Sequence, residues 1–273
     1  MDMHRGKVGF IGAGNMATAL VKGLIKSGLY PREHILASDI SREKLEKMTE
    51  QFGLGVYPSS RALVKECSVI VLSIKPQNMR DVLVEIRDDI RDHQLIISIA
   101  AGIPLKMIRD HIGRDIPMVR VMPNTPALIQ KGVSALAAGK TSNRAHMNIV
   151  KEIFDAVGET VVVSEEMMDA VTALSGSGPG YVFRIMEGFV RAGESLGFNR
   201  DTSLKLVIQT FLGAAHLANQ SEKSLSELRE MVTSPGGTTA AGLSVFEEKG
   251  LEETIRAGVE AACRRSVELG KGK

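Results

Sequence analysis

Up to about residue 163 the chain alternates short, β-branched runs with longer stretches whose apolar residues recur at helical spacing. Lys7–Ile11, Ile35–Asp39, Gly55–Tyr57, Val69–Ser73, Leu95–Ala100 and Met118–Val121 read as strands. Met16–Ser27, Arg42–Phe52, Arg61–Cys67, Met79–Arg87 and Leu105–Asp110 read as the helices among them. Val69-Ile70-Val71-Leu72 is continuously apolar, the pattern of a strand covered on both faces. Strand–helix alternation of this kind builds a doubly wound parallel sheet. Two further apolar runs, Val133–Ala137 and Thr160–Val163, are expected to extend the sheet at its edge.

Beyond Ser164 the strand pattern stops. Glu166–Thr172, Pro179–Leu196, Asp201–Ala218, Ser224–Val232, Thr239–Glu248 and Leu251–Leu269 all read as helices. No Pro/Gly/Ser-rich hinge separates the two halves, so firm packing between them is expected. Two of the helices are apolar round most of their circumference. Leu204–Ala215 is one; the other carries Val182, Phe183, Ile185, Met186, Phe189 and Val190. Such helices must be buried on several sides, and a helical half of this size has little interior to give them. A subunit interface, with a partner's helices completing the core, is the favoured resolution over a central helix in a monomeric bundle.

The most informative stretch is Val8-Gly9-Phe10-Ile11-Gly12-Ala13-Gly14-Asn15-Met16-Ala17. It is a G-x-G-x-x-A turn with a strand before it and a helix after it, the form that binds dinucleotides. Gly12 permits the tight turn, Gly14 lets a pyrophosphate approach the backbone, and Ala17 lets helix and strand pack closely. The free N–H groups and positive dipole end of the helix then face the phosphates. Asp39 closes the next apolar run, where a carboxylate takes a ribose diol and repels a 2′-phosphate, while neighbouring Ser38, Ser41 and Arg42 favour one. The chain is therefore expected to carry an N-terminal Rossmann-like dinucleotide-binding domain over residues 1–164 and an all-α domain over residues 165–273.

Composition narrows the field. A formal net charge of +2 gives no reason to expect nucleic acid or a membrane surface. Trp is absent and aromatics are scarce, so base-stacking platforms are not expected. No apolar segment is long enough to span a bilayer, and the chain passes from His4-Arg5 directly into its first strand, with no signal peptide visible. Cys67 and Cys263 lie far apart and in no metal-ligand or redox spacing, which points to a reduced, cytoplasmic protein without a metal.

Four further segments carry candidate chemistry. Ser73-Ile74-Lys75-Pro76-Gln77 ends the fourth strand, at the edge where open sheets bind ligands. Ser98-Ile99-Ala100-Ala101-Gly102 ends the fifth, with small residues that leave space for a flat ring. Arg120-Val121-Met122-Pro123-Asn124-Thr125-Pro126 follows the sixth as a rigid loop with polar tips. In the helical half, Ser175-Gly176-Ser177-Gly178-Pro179-Gly180 and Ser234-Pro235-Gly236-Gly237-Thr238-Thr239 both read as helix starts with hydroxyl caps. In the second of these the glycines free backbone N–H groups for an anion nest rimmed by two hydroxyls, a fit for a small carboxylate.

The six histidines are isolated and lie outside these motifs, and no Ser-His-Asp, Cys-His or His-Glu-x-x-His grouping is present. A hydride-transfer enzyme works without them if its substrate needs little acid–base help. A protonated cyclic imine is such a substrate.

Taken in order, Val8–Met16, Lys75-Pro76, Ala100-Ala101-Gly102, Met122–Pro126, Leu174–Pro179 and Ser234–Thr239 resemble the pyrroline-5-carboxylate reductases over essentially the whole chain. The resemblance implies reduction of 1-pyrroline-5-carboxylate to L-proline by NADP(H) or NAD(H), the last step of proline biosynthesis. It implies that Ile11, Gly12, Ala13, Gly14, Asn15 and Met16 bind the pyrophosphate, and that Ser38 and Asp39 lie at the ribose. Ser73, Lys75, Pro76, Ile99, Ala100 and Ala101 would wall the cofactor cleft, with Met122 and Asn124 by the nicotinamide. Ser234, Gly236, Gly237, Thr238, Thr239 and Ser177 would hold the substrate, with Thr239 at the ring nitrogen as the catalytic hydroxyl. It further implies a homodimer through the C-terminal helices, with larger rings of dimers. One departure stands out: the family's Pro-Ala-Tyr is Pro179-Gly180-Tyr181 here, which weakens that helix start.

Two other readings compete. A β-hydroxyacid dehydrogenase shares both domains but relies on a lysine in a glycine-rich helix, and Ser175–Tyr181 has none. A non-catalytic dinucleotide sensor has no use for the small-anion nest at Ser234–Thr239.

Overall fold

The computed structural model describes residues 6–270; His4 lies outside them. The chain forms two compact units, Met1–Ser177 with Ala262–Lys273, and Gly178–Ala261.

The first unit is built on one eight-stranded sheet. Its strands are β1 (Val8–Ile11), β2 (Ile35–Ser38), β3 (Gly55–Tyr57), β4 (Val69–Leu72), β5 (Leu95–Ser98), β6 (Met118–Met122), β7 (Gly132–Ala138) and β8 (Gly158–Val162). They lie in the order β3-β2-β1-β4-β5-β6-β7-β8. All neighbours are parallel except β6 and β7. The order reverses between β1 and β4, so the crevice at the carboxyl ends of these two strands is the switch point where such sheets bind ligands.

Alternate residues of the central strands feed two cores. Val8, Phe10, Ile35, Val69, Val71 and Ile97 pack with Leu20 and Leu24 of helix α1 (Asn15–Ser27) and with Ile153 and Phe154 of α6 (Arg144–Asp155). Ile70, Leu72 and Ile96 face the other way, toward α3 (Ser60–Glu66), α4 (Met79–Ile86) and α5 (Leu105–Ile112). The uninterrupted apolar run at Val69–Leu72 thus fills both layers. Helix α2 (Arg42–Phe52) completes the set as expected, but α6 is an element that the apolar pattern did not assign. Asn143 caps it by accepting the His146 N–H, and His146 Nδ1 accepts the Asn143 N–H in return. This is a capping box with histidine in place of the usual Glu or Gln.

After β8 the expected single helix at Glu166–Thr172 is broken into a tight turn at Glu165–Met167, α7 (Met168–Val171) and a π turn at Thr172–Gly176. The Ser177 N–H closes that π turn on the Thr172 carbonyl at 2.8 Å.

The second unit holds α8 (Gly178–Ser195), α9 (Arg200–Gln220), α10 (Leu225–Met231), α11 (Thr238–Glu248) and the greater part of α12 (Leu251–Gly270). The Phe189 ring meets those of Phe211 and Phe246 edge-on, at 5.6 and 6.5 Å between centroids. Among the described residues of this unit, Val190 is the only buried apolar side chain. Phe183, Leu206, Ile208, Leu212 and Ile255 are all exposed in the single chain. Helices this apolar cannot be held by so small a core, as the pattern along α8 and α9 requires a second subunit.

Candidate functional site

The glycine turn leaves β1 at Gly12, whose φ of 103° is open to glycine but strained for other residues. Three elements tie it down. The Gly12 N–H donates to the Ser38 carbonyl at 2.7 Å, and the Ala13 N–H donates to Asp39 Oδ2 at 2.7 Å. Ser73 donates its N–H to the Ile11 carbonyl at 2.9 Å, and its hydroxyl lies 2.7 Å from the Gly12 carbonyl. Gly14 is the N-cap of α1, in extended conformation and without a side-chain cap. The first helical bond runs from the Thr18 N–H to the Gly14 carbonyl. Among the described residues, nothing therefore accepts the N–H groups of Gly14, Asn15, Met16 and Ala17, and no acidic side chain occupies the first turn. A β-carbon built on Gly14 meets no atom within 4 Å. Open space in front of four unsatisfied amides at a helix N-terminus suits a pyrophosphate.

The turn opens on a cleft of about 300 Å³ lined by Ile11, Gly12, Gly14, Ser38, Asp39, Lys44, Ser73 and Lys75. A hollow of about 650 Å³ adjoins it at Asp39 and Ile40 and extends to Val56 and Pro58. Ile40 is 98% exposed, an apolar face with no neighbour to cover it. Lys44, Ile40 and Val56 were not singled out from the sequence; Val56 reaches this edge only through the pairing of β2 with β3. Lys75 is extended, as a residue before proline should be, and Pro76 opens the short turn Pro76–Asn78.

Two further walls follow at the same sheet edge. Ala100 and Ala101 follow β5, with Ala100 buried. Gly102 next to them has φ 73°, and the end of α12 sits behind it: a β-carbon there would lie 3.2 Å from both the Ser266 carbonyl and the Gly270 nitrogen. Met122 ends β6 with its methyl against the π turn, where a β-carbon on Gly176 would fall 2.5 Å from it. Asn124 Oδ1 accepts the Val133 N–H at 3.0 Å, which stiffens the loop that carries it.

A buried charge network anchors β6. The Arg120 guanidinium lies 3.6 Å from Asp169 and 3.8 Å from Glu165. Burial pulls its pKa below the ordinary arginine value, against the raising effect of the two carboxylates. Asp169 in turn accepts the Ser266 hydroxyl at 2.7 Å, and Glu165 accepts the Leu105 N–H at 2.6 Å. Nothing local in the sequence marks this convergence of four separate segments.

In the second unit, Ser234-Pro235-Gly236-Gly237 forms a turn in which the Gly237 N–H donates to the Ser234 carbonyl at 2.9 Å. Gly236, at φ 70°, supplies the left-handed corner after proline. Gly237 is then the extended N-cap of α11, and a β-carbon there would clash with Ser234 Oγ. This corrects two expectations. The helix start has no hydroxyl cap, and the Gly237 amide is spent within the turn. Among the described residues, the donors left without an acceptor are the N–H groups of Thr238, Thr239 and Ala240. The segment Ser175–Gly180 is not a hydroxyl-capped helix start either, since the π turn occupies Thr172–Gly176. Ser177 follows that turn in helical conformation, and the buried Ser175 hydroxyl has no partner among the described residues.

Among the described residues, no group of three or more His, Cys, Asp and Glu side chains could hold a metal ion. Burial pushes the Cys67 thiol up to about 12, far from a reactive thiolate.

Comparison with known proteins converges on one family. Residues 165–269 match the model for pyrroline-5-carboxylate reductase dimerisation, and residues 7–102 that for NADP oxidoreductases, coenzyme F420-dependent. The pyrroline-5-carboxylate reductase of Pseudomonas aeruginosa is 42% identical, with 98% of each chain covered. That of Methanosarcina acetivorans is 40% identical over 98% of this chain and all of its own. The solved reductase of Coxiella burnetii superposes with a TM-score of 0.91 at 38% identity, covering 97% of this chain and 98% of that one. The pyrroline carboxylate reductase of Plasmodium falciparum, solved with NADP bound, superposes with a TM-score of 0.88 at 32% identity, covering 98% and 99%. The β-hydroxyacid dehydrogenase and sensor readings are not favoured by these matches. The over-apolar helices of the second unit fall within the matched dimerisation region, and the protein is a homodimer through its C-terminal helices. With the amide-lined glycine turn on one unit and these full-length relatives, the chain belongs to the pyrroline-5-carboxylate reductases, the NAD(P)H-dependent oxidoreductases that reduce 1-pyrroline-5-carboxylate to L-proline.

Proposed function

We propose how this chain divides the work of that reduction. Residues 1–164 hold the dinucleotide, and residues 165–273 dimerise and hold the imine. The pyrophosphate takes the amides of Gly14, Asn15, Met16 and Ala17. Ser38 and Asp39 lie toward the ribose, Ser73, Lys75, Pro76, Ala100 and Ala101 wall the cleft, and Met122 and Asn124 stand beside the nicotinamide. The bound cofactor supplies a hydride. The observation that carries the substrate assignment is the trio of amides at Thr238, Thr239 and Ala240, unsatisfied among the described residues and preceded by a left-handed corner that favours glycine at position 236. These amides take the carboxylate of the cyclic imine at a helix N-terminus free of acidic side chains. Ser234 and Ser177 offer further hydroxyls. Thr239 Oγ hydrogen-bonds the ring nitrogen, whose proton comes from solution with the iminium, or through Thr239, which is reprotonated by a water it holds. No stronger acid is needed, because a protonated imine accepts hydride readily, and orientation provides most of the acceleration.

Mixing the protein with pyrroline-5-carboxylate and either reduced cofactor, and following the loss of nicotinamide absorbance, tests the whole reading. Turnover with proline as product is expected; no oxidation of either cofactor would remove it. The chain is further read as cytoplasmic and as able to build rings of dimers. Among the described residues no helix is long and apolar enough to cross a membrane. Light scattering after size exclusion distinguishes a dimer from a larger ring.

A further inference from the structure

Resting on the reading of the glycine turn as the cofactor site, we propose that Asp39 is a positioning residue for that turn and that Lys44 decides whether a 2′-phosphate is tolerated. A carboxylate at the end of the second strand ordinarily faces the ribose and repels NADPH. Here both of its oxygens already serve the protein. Oδ2 accepts the Ala13 N–H at 2.7 Å, and Oδ1 accepts the Ser41 N–H at 2.8 Å. The side chain is only 9% exposed, and the Lys44 ammonium stands 3.7 Å from Oδ2. The negative charge is thus spread over two amides and one cation. Its tie to Ala13, twenty-six residues away, fixes the corner from which the four pyrophosphate amides project.

Lys44 differs from the basic residues around it. Arg42 is bonded to Glu46 at 2.9 Å, and Lys47 to Glu43 at 2.6 Å. Lys44 is half exposed, its one ion pair among the described residues is with Asp39, and it makes no hydrogen bond there. Lys44 lines the same cleft as Gly12, Gly14 and Asp39, with its ammonium beside Asp39. A phosphate on the 2′-oxygen beside Asp39 would meet a cation with donors to spare, so the carboxylate does not exclude NADPH. Lys75 faces the cleft from the end of β4, on the far side of β1 from Asp39.

Equilibrium titration of the dimer with NADH and with NADPH, followed by calorimetry, tests both roles without reference to turnover. Lys44→Met is expected to weaken NADPH at least about tenfold, the loss of one charge-assisted hydrogen bond, and to leave NADH within about twofold. Lys47→Met is expected to change neither, because the Lys47 ammonium is bonded to Glu43 and the residue does not line the cleft. Asp39→Asn is expected to weaken both cofactors severalfold, because an amide has one acceptor oxygen and would turn its NH₂ against the Ala13 or Ser41 N–H. An unchanged NADPH-to-NADH ratio in Lys44→Met overturns the role of Lys44. Tighter NADPH with weaker NADH in Asp39→Asn makes Asp39 a plain discriminator and overturns the positioning role. A wild-type protein that binds neither cofactor refutes the glycine-turn reading itself, a result distinct from both.

Discussion

Gly12 sits directly against the Ser73 carbonyl: a β-carbon on Gly12 would lie 2.5 Å from that oxygen. The contact holds β1 and β4 together at the switch point, where the Ser73 N–H and hydroxyl also bind the backbone of Ile11 and Gly12. Gly12→Ala meets both the clash and a φ of 103°. We expect it to lower stability by about 1–3 kcal/mol in urea titrations and to weaken both cofactors at least about tenfold. Undiminished cofactor binding would show that the turn can shift without losing its amides.

Thr239 is predicted to matter through its hydroxyl and not its backbone. Thr239→Ala keeps the N–H at the start of α11 and removes only the group assigned to the ring nitrogen. The expected loss in kcat/KM for the imine is about 10- to 100-fold, with Thr239→Ser restoring most of it. Thr238, whose side chain is exposed, serves as the comparison. Wild-type kinetics in Thr239→Ala would take the residue out of the mechanism.

The capping box of α6 makes a pH-dependent contribution. His146 Nδ1 must be unprotonated to accept the Asn143 N–H, and burial lowers its pKa below the ordinary histidine value. The folded state therefore favours the neutral ring. The stability this confers is present above the unfolded pKa and is lost as pH falls from there through the folded pKa. Thermal melts across the histidine range should show a midpoint that drops on the acid side more for wild type than for His146→Gln, which keeps an acceptor that does not titrate. Asn143→Ala should cost about 1 kcal/mol at any pH.

How far the sequence carried these conclusions depends on the range of the interaction. Val69–Leu72 was legible because a strand buried on both faces leaves an uninterrupted apolar run. Gly12 and Gly14 were legible because their spacing reflects a local turn. Asp39 was legible as a position but not as a tie to Ala13, since that bond joins two strand ends. Helix α6 escaped because His146 fills the place in the capping box where Glu or Gln is the usual signal. The seat of α12 behind Gly102 escaped because Ala262–Gly270 continues the same helical pattern as the residues before it. Likewise the Gly237 amide looked free for an anion until the Ser234 turn was seen to consume it.

The exposed apolar face of α9 supports a direct test of the dimer. Ile208 and Leu212 stand one turn apart on that helix, 46% and 49% exposed in the single chain. Replacing both with glutamate places two charges where a partner's helices close the core. Sedimentation should show monomers, and the thermal midpoint should fall, because the second unit has Val190 as its only buried apolar side chain among the described residues. A stable dimer in the double variant would place the interface elsewhere.

Gly180 offers a prediction of opposite sign. It lies in the first turn of α8, and a β-carbon there meets no atom of the described residues within 4 Å. Its φ is not among the positive ones, so alanine fits the backbone as it stands. Alanine also narrows the unfolded ensemble, and Gly180→Ala should therefore raise stability by about 0.4–1 kcal/mol. Chemical denaturation of the dimer at fixed protein concentration checks this. Destabilisation by alanine would mean that the partner subunit occupies the space beside Gly180, and that glycine was selected there for close approach between chains.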